Sequence, residues 1–151
     1  MAAITVRVEA GRFDLAAEVA RLRALPGVGA VVTFSGICRD EGGRLAALEL
    51  EHYPGMAEAE INRIAAEAAN RWSVAGLIVI HRFGRIAVGD EIVLVAAASS
   101  HREAAFAAAN FLMDYLKTRA PFWKKEHAAG AAKGDWVGAK DSDEDAAERW
   151  R

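Results

Sequence analysis

Apolar and polar residues alternate singly from Ala3 to Glu9, with Ile4, Val6 and Val8 on one side, which predicts a half-buried strand. Asp14 then stands in N-cap position ahead of Leu15, Val19 and Leu22, whose spacing predicts a helix closed by Pro26-Gly27. Gly29 to Cys38 is rich in β-branched and aromatic residues and is expected to be a strand. After a polar loop, Asp40 to Arg44, the alternation resumes from Leu45 to His52, so these two strands are expected to form a hairpin. Tyr53-Pro54-Gly55 breaks the pattern. From Met56 to Trp72, Ile61, Ile64, Ala65 and Ala68 share one side and Glu58, Arg63, Glu67 and Arg71 the other, which predicts an amphipathic helix. A second hairpin is expected from Leu77 to Phe83 and Glu91 to Ala98, turning at Gly89-Asp90. A helix from His101 to Arg119 follows, capped by Ser99 or Ser100. Pro121 stops it, because the residue before a proline is pushed out of the α region. Phe122 to His127 and Lys133 to Ala139 read as strands, and Asp143 to Arg149 as a short terminal helix. This mixed order predicts an α+β fold rather than a regular parallel winding.

Composition narrows the class. A chain of 151 residues is expected to be one domain, 1–151, and 53 % apolar content is enough for a core. The net charge of −2 argues against a general nucleic-acid binder. That balance hides an asymmetry: residues 141–151, an acidic helix or tail, hold five acids and two bases, so the remainder is slightly basic. The single cysteine, Cys38, excludes an internal disulfide and a cysteine-based zinc site. No stretch approaches the roughly 20 apolar residues of a membrane span, and no opening run resembles a signal peptide. The expected setting is cytoplasmic, with no membrane and no nucleic-acid partner.

Three places carry candidate chemistry. Tyr115 to Glu126 packs Lys117, Arg119, Lys124 and Lys125 around a helix stop, with Phe122 and Trp123 beside them. Lys117 and Lys124 flank the break and can share one pocket, holding an anion as point charges or working as a base or nucleophile when desolvated. Solvated lysines favoured by the helix dipole are the alternative. Ser99-Ser100-His101-Arg102 places two cations in a first helical turn, a position the dipole disfavours, which suggests an anionic ligand or else a surface cap. Gly36 to Asp40 is a strand end entering a loop, where Arg39 can clamp a phosphate. Cys38 reads as a small buried residue, since nothing in the sequence marks a lowered thiol pKa. His52 and His81 end strands without a second ligand at metal spacing and read as structural, so no metal site is expected. The four tryptophans read as packing residues, with Trp123 also suited to wall a flat heterocycle.

With these residues in view, the chain resembles the family of large, catalytic subunits of molybdopterin synthase. The matching pieces are Thr33-Phe34-Ser35-Gly36 leading to Arg39, Leu50 to Met56, His81-Arg82, Gly89-Asp90-Glu91, His101-Arg102, and above all the long block Met113 to Glu126. They cover nearly the whole chain.

The resemblance implies an α/β hammerhead with an additional antiparallel β subdomain. It implies a sulfurtransferase that converts cyclic pyranopterin monophosphate to molybdopterin by installing two sulfurs as a dithiolene. The sulfur would come from the thiocarboxylated Gly-Gly terminus of a small ubiquitin-like sulfur-carrier subunit. It implies a central homodimer within a heterotetramer and no resident cofactor. The family's catalytic lysines fall on Lys117 and Lys124. Its substrate-binding positions fall on Ile37, Cys38, Arg39, His101, Arg102, Lys125 and Glu126 as well as the two lysines. A basic position often supplied by the neighbouring subunit falls on Lys140, where the family commonly has arginine; lysine keeps the charge but loses the bidentate fork. A different class of function, a non-catalytic docking module for a Gly-Gly-tailed partner, is the alternative.

Overall fold

The computed structural model of the chain describes residues 1–40, 42–43, 45–128, 135–137 and 146–150. The elements in order are β1 (Ala3–Glu9), α1 (Leu15–Arg23), β2 (Ala30–Ile37), β3 (Leu45–His52), α2 (Met56–Arg71), β4 (Gly76–Arg82), β5 (Gly84–Ala87), β6 (Glu91–Ser99), α3 (Arg102–Thr118), β7 (Phe122–Ala128) and β8 (Asp135–Val137). They form two four-stranded sheets, ordered β1-β4-β6-β2 and β5-β3-β7-β8. The first is mixed, with β1 parallel to β4 and the other pairs antiparallel; the second is wholly antiparallel. The α+β class and the added antiparallel subdomain are therefore both present.

The main sheet is buried on both faces, which is why β4 reads as a continuous apolar run rather than an alternation. Leu77 and Val79 of β4 and Val95 and Ala97 of β6 face α2 and α3, where Ile61, Ile64, Phe111 and Leu112 complete the principal core. Ile78, Ile80, Leu94 and Ala96 point the other way, onto Leu22 of α1. Local chemistry sets the helix starts. The Asp14 carboxylate accepts from the Ala17 N–H at 3.2 Å and caps α1. Gly55, at φ +84°, turns the chain into α2, and the Glu58 carboxylate reaches back to the Gly55 N–H at 2.7 Å. The second sheet has its own cluster of Cys38, Leu45, Leu50 and Ile86. Ile92 and Phe122 pack against both this cluster and the principal core, joining the sheets at one seam.

One sequence expectation fails on strand partners, and a second holds with a different connection. Gly29 to Cys38 and Leu45 to His52 do not form a hairpin: β2 pairs with β6, from Ala30↔Ser99 to Gly36↔Val93, while β3 pairs with β5 and β7. Backbone bonds explain the parting. The Cys38 N–H donates to the Asp90 carbonyl and the Gly89 N–H to the Cys38 carbonyl, both at 2.8 Å, so the exit of β2 is tied to the turn before β6. Alternation reports which face of a strand is buried, not which strand lies beside it. The second expected pairing, β4 with β6, is present, but its connection holds β5, which crosses to the other sheet. Gly84, at φ +83°, makes that switch, and only Ile86 of the four β5 residues is buried, too little for a pattern.

The expected strand Lys133 to Ala139 is described only at Asp135–Val137. Of the expected terminal helix, residues 146–148 are helical, and Asp143, Glu144 and Asp145 lie outside the described residues.

Candidate active site

Three elements converge where the two sheets meet. Helix α3 ends at Thr118, whose hydroxyl donates to the Asp114 carbonyl at 3.1 Å, and the Arg119 N–H caps the helix by donating to the Tyr115 carbonyl at 2.7 Å. Pro121 prevents continuation, and the chain enters β7 at once. Lys117 thus stands in the last turn of α3, where the free carbonyl ends favour a cation. Lys124 stands two residues beyond Phe122 on the same face of β7, opposite Leu50 of β3.

Both lysines line one cavity of about 130 Å³. Its walls are otherwise hydrocarbon: Phe34, Gly36 and Ile37 from β2, Ile92 and Val93 from β6, Met113 and Leu116 from α3, with Leu50, Ala120 and Phe122. The remaining lining residue is His81, at the end of β4. Its ring stacks on Phe122, with centroids 3.8 Å apart and planes 15° from parallel. Burial lowers its pKa from the usual 6.5 to about 4, the Arg82 carbonyl opposes that shift, and the charges of Lys117, Lys124 and His52 reinforce it. Gly36 matters for shape. A Cβ there would come within 2.7 Å of the Val93 Cγ1, so only glycine lets β2 lie this close to the cavity wall.

The other sequence-derived positions divide clearly. Ile37, Lys117 and Lys124 are brought together in the cavity. Cys38 is 1 % exposed and packs under the second sheet, as its reading as a small buried residue requires. Arg39 follows at the surface, two residues from the cavity wall. Glu126 shares the Phe122–Lys124 face of β7 farther along the strand, whereas Lys125 projects to the opposite face. His101 and Arg102 are exposed at the start of α3. The cap itself is His101 rather than Ser99 or Ser100, with the Ser99 hydroxyl donating to the Ser73 carbonyl at 2.7 Å. From Arg102 to Lys117 the helix rises roughly 22 Å at about 1.5 Å per residue, so one copy of the chain does not bring these cations to the lysine pair. Lys140 lies outside the described residues.

Sequence reasoning left His81 out of the site. The available signal was its place after Leu77 and Val79 on the face turned toward α3, an imidazole where the pattern supplies hydrocarbon. A larger, open groove of about 970 Å³ runs from Met1 past Pro26 to Trp72. Among the described residues lining it, Arg71 is the only charged side chain, so it offers little chemistry. Among the described residues, no group of three or more His, Cys, Asp or Glu side chains is placed to hold a metal, and no helix is long and apolar enough to cross a membrane.

Comparison with known proteins identifies the family and the fold. Residues 8–119 match the model of the family described as MoaE protein. The molybdopterin synthase catalytic subunit of Mesorhizobium japonicum is 66 % identical over 148 residues, covering 97 % of this chain and 93 % of that protein. The solved molybdopterin biosynthesis MoaE protein of Burkholderia ambifaria superposes with a TM-score of 0.83 at 49 % identity, covering 99 % of this chain and 98 % of that one. A solved molybdopterin synthase chain from Staphylococcus aureus gives 0.77 at 30 % identity, covering 87 % of this chain and 95 % of that one. By family model, full-length relatives and fold together, the chain belongs to the MoaE family.

Proposed function

We propose that this chain is the catalytic subunit of a molybdopterin synthase, a cytoplasmic sulfurtransferase that converts cyclic pyranopterin monophosphate to molybdopterin. The observation that carries this reading is the convergence of Lys117 and Lys124, from two different elements, on one cavity whose other lining side chains are apolar apart from His81. Lys117 is exposed and Lys124 half-buried, so both ammoniums are open to an entering anion and hold it as point charges. The reactants are both anions: the cyclic phosphate, and the thiocarboxylate on the C-terminal glycine of a small ubiquitin-like partner. The two lysines offset the repulsion between them. They also stabilise the charge that develops as sulfur attacks and the phosphate ring opens, and they assist the proton transfers. Each sulfur attack joins tail and pterin as a thioester, which water hydrolyses to a thiolate on the pterin and a carboxylate on the tail, so two thiocarboxylated tails are consumed for one dithiolene.

The surroundings support this use. A Gly-Gly tail lacks Cβ atoms and fits a narrow entrance. Phe34 and Ile37 form an apolar lip, 41 % and 47 % exposed, suited to a docked protein. Arg39 binds the pterin at the rim, with Glu126 and Lys125 of β7 as further substrate-binding positions. The separation of His101 and Arg102 from Lys117 supports a site completed by a second copy, in a homodimer at the centre of a heterotetramer. In that assembly His101, Arg102 and Lys140 of one protomer serve the cavity of the other.

Reconstitution tests the reading. The purified chain, mixed with thiocarboxylated partner and the pterin precursor, should yield dithiolene product. Lys117→Ala should fold and bind the partner but lose turnover by on the order of a hundred-fold or more, as expected for a positioned electrostatic or acid–base group. A stable complex that forms no dithiolene would reduce the chain to a docking module, and near-normal turnover by K117A would remove Lys117 from the chemistry.

A further inference from the structure

Among the side chains lining the cavity, two are donors and one is a strong acceptor. Lys117 and Lys124 bring only N–H groups. Apart from the weakly accepting Met113 thioether, every other lining side chain except His81 is hydrocarbon or, at Gly36, absent. The His81 ring is held in one state by its neighbours. Its Nδ1 lies 2.9 Å from the Arg82 carbonyl oxygen, and a carbonyl only accepts, so Nδ1 carries the proton and Nε2 keeps its lone pair. The strand end that supplies this carbonyl is fastened in turn. The Arg82 guanidinium donates to the Ala10 carbonyl from Nε and Nη2, at 3.2 and 3.0 Å, and to the Glu91 carbonyl from Nη1, at 2.9 Å. Phe122 fixes the plane of the imidazole by stacking.

We infer that His81 is a positioning residue of this site, whose Nε2 accepts a hydrogen bond from the lysine pair and aims an ammonium into the cavity. The inference rests on the reading of Lys117 and Lys124 as the working cations. A carboxylate in the same place would orient the lysines equally well but cancel their charge, whereas a neutral imidazole orients without cancelling. The ring stays neutral because every group acting on it favours that form except the Arg82 carbonyl. Burial comes first, then Lys117 from α3, Lys124 from β7 and His52 from β3. The strands flanking β4 present only Val8 and Val93 beside His81.

Two substitutions separate orientation from packing. His81→Phe keeps a ring against Phe122 but removes the acceptor, and His81→Gln restores an acceptor without the ring. In the reconstituted enzyme H81F should keep its melting temperature within a few degrees and its KM within about twofold. Its kcat should fall on the order of ten- to hundred-fold, the loss expected for one hydrogen bond to a charged group. H81Q should recover much of that loss, which a purely structural histidine would not predict. The wild-type protein supplies a readout independent of folding in the variants. Two-dimensional 15N NMR of the imidazole should show a neutral ring with the proton on Nδ1 from pH 5.5 to 8. An Nε2–H tautomer or an imidazolium in that range would overturn the inference, as would an H81F enzyme with unchanged kcat. If K117A retains turnover, the reading of the lysines has failed; if K117A is inactive while H81F is fully active, only the role of His81 has.

Discussion

Gly36→Ala adds a single methyl group at the most crowded point of the cavity wall. The new Cβ would sit 2.7 Å from the Val93 Cγ1, with the Phe34 ring at 3.5 Å behind it. Neither neighbour yields cheaply. Val93 is β-branched and 5 % exposed, so its χ1 has few open wells, and it stands directly opposite Gly36 in the β2–β6 register. Overpacking of this kind costs about 1–3 kcal/mol. Alanine also restricts the unfolded chain more than glycine does, which returns about 0.4–1 kcal/mol. The net expectation is a destabilisation of about 1–2 kcal/mol, or a fall in melting temperature of roughly 2–8 °C for a chain of this size. Function should suffer more than stability, because β2 must shift away from β6 and carry Phe34 and Ile37, two walls of the site, with it. Scanning calorimetry and steady-state kinetics on the reconstituted enzyme measure the two effects. The double variant Gly36→Ala with Val93→Ala removes the clashing Cγ1 and should recover part of the loss, giving a coupling of about 1 kcal/mol in a double-mutant cycle. A Gly36→Ala enzyme with unchanged melting temperature and unchanged kcat/KM would show that β2 is not held at this spacing, and the argument from close approach would fail.

Cys38→Ala should retain most turnover, because in the proposed reaction the sulfur travels on the partner; removing a buried sulfur should cost about 1 kcal/mol or somewhat more in urea melts. A folded but inactive C38A protein would point instead to a persulfide carried on this thiol. His81 should also leave a mark on stability against pH. Its folded pKa, about 4, lies below the unfolded value of 6.5, so the unfolded chain binds the extra proton first. Its contribution is therefore fully present above about pH 6.5 and is lost as pH falls toward 4, by about 3 kcal/mol at most. Urea unfolding from pH 4 to 7.5 should show this slope in the wild type and a shallower one in H81F, and identical slopes would contradict a buried neutral ring.

What the sequence made legible follows the range over which each signal acts. The start of α1 was readable because Asp14 caps it from three residues away. The end of α3 was readable because Pro121 forbids its continuation. β3 was readable because Leu48 and Leu50 alternate with Glu49 and Glu51 over a few neighbouring residues, although Leu45, Ala47 and Leu50 are buried on both faces of the strand. All three are written within a few residues of where they act. Strand partnership is not: the β2–β6 pairing joins Ala30 to Ser99, and nothing in either strand names the other. The same limit governs the site. Lys117 and Lys124 could be placed together from sequence because one helix stop separates them, and the cavity contains both. Placing His81 beside them required knowing that β4 ends under the last turn of α3 and against Phe122, a contact between segments more than thirty residues apart. His101 and Arg102 show the converse error. Chemistry alone groups all the cations that suit an anion, but a rigid helix sets these two roughly 22 Å from Lys117. If they do act on the same ligand, the geometry of one chain requires the second copy to supply them. A dimer-breaking variant should then weaken pterin binding even with every site residue intact.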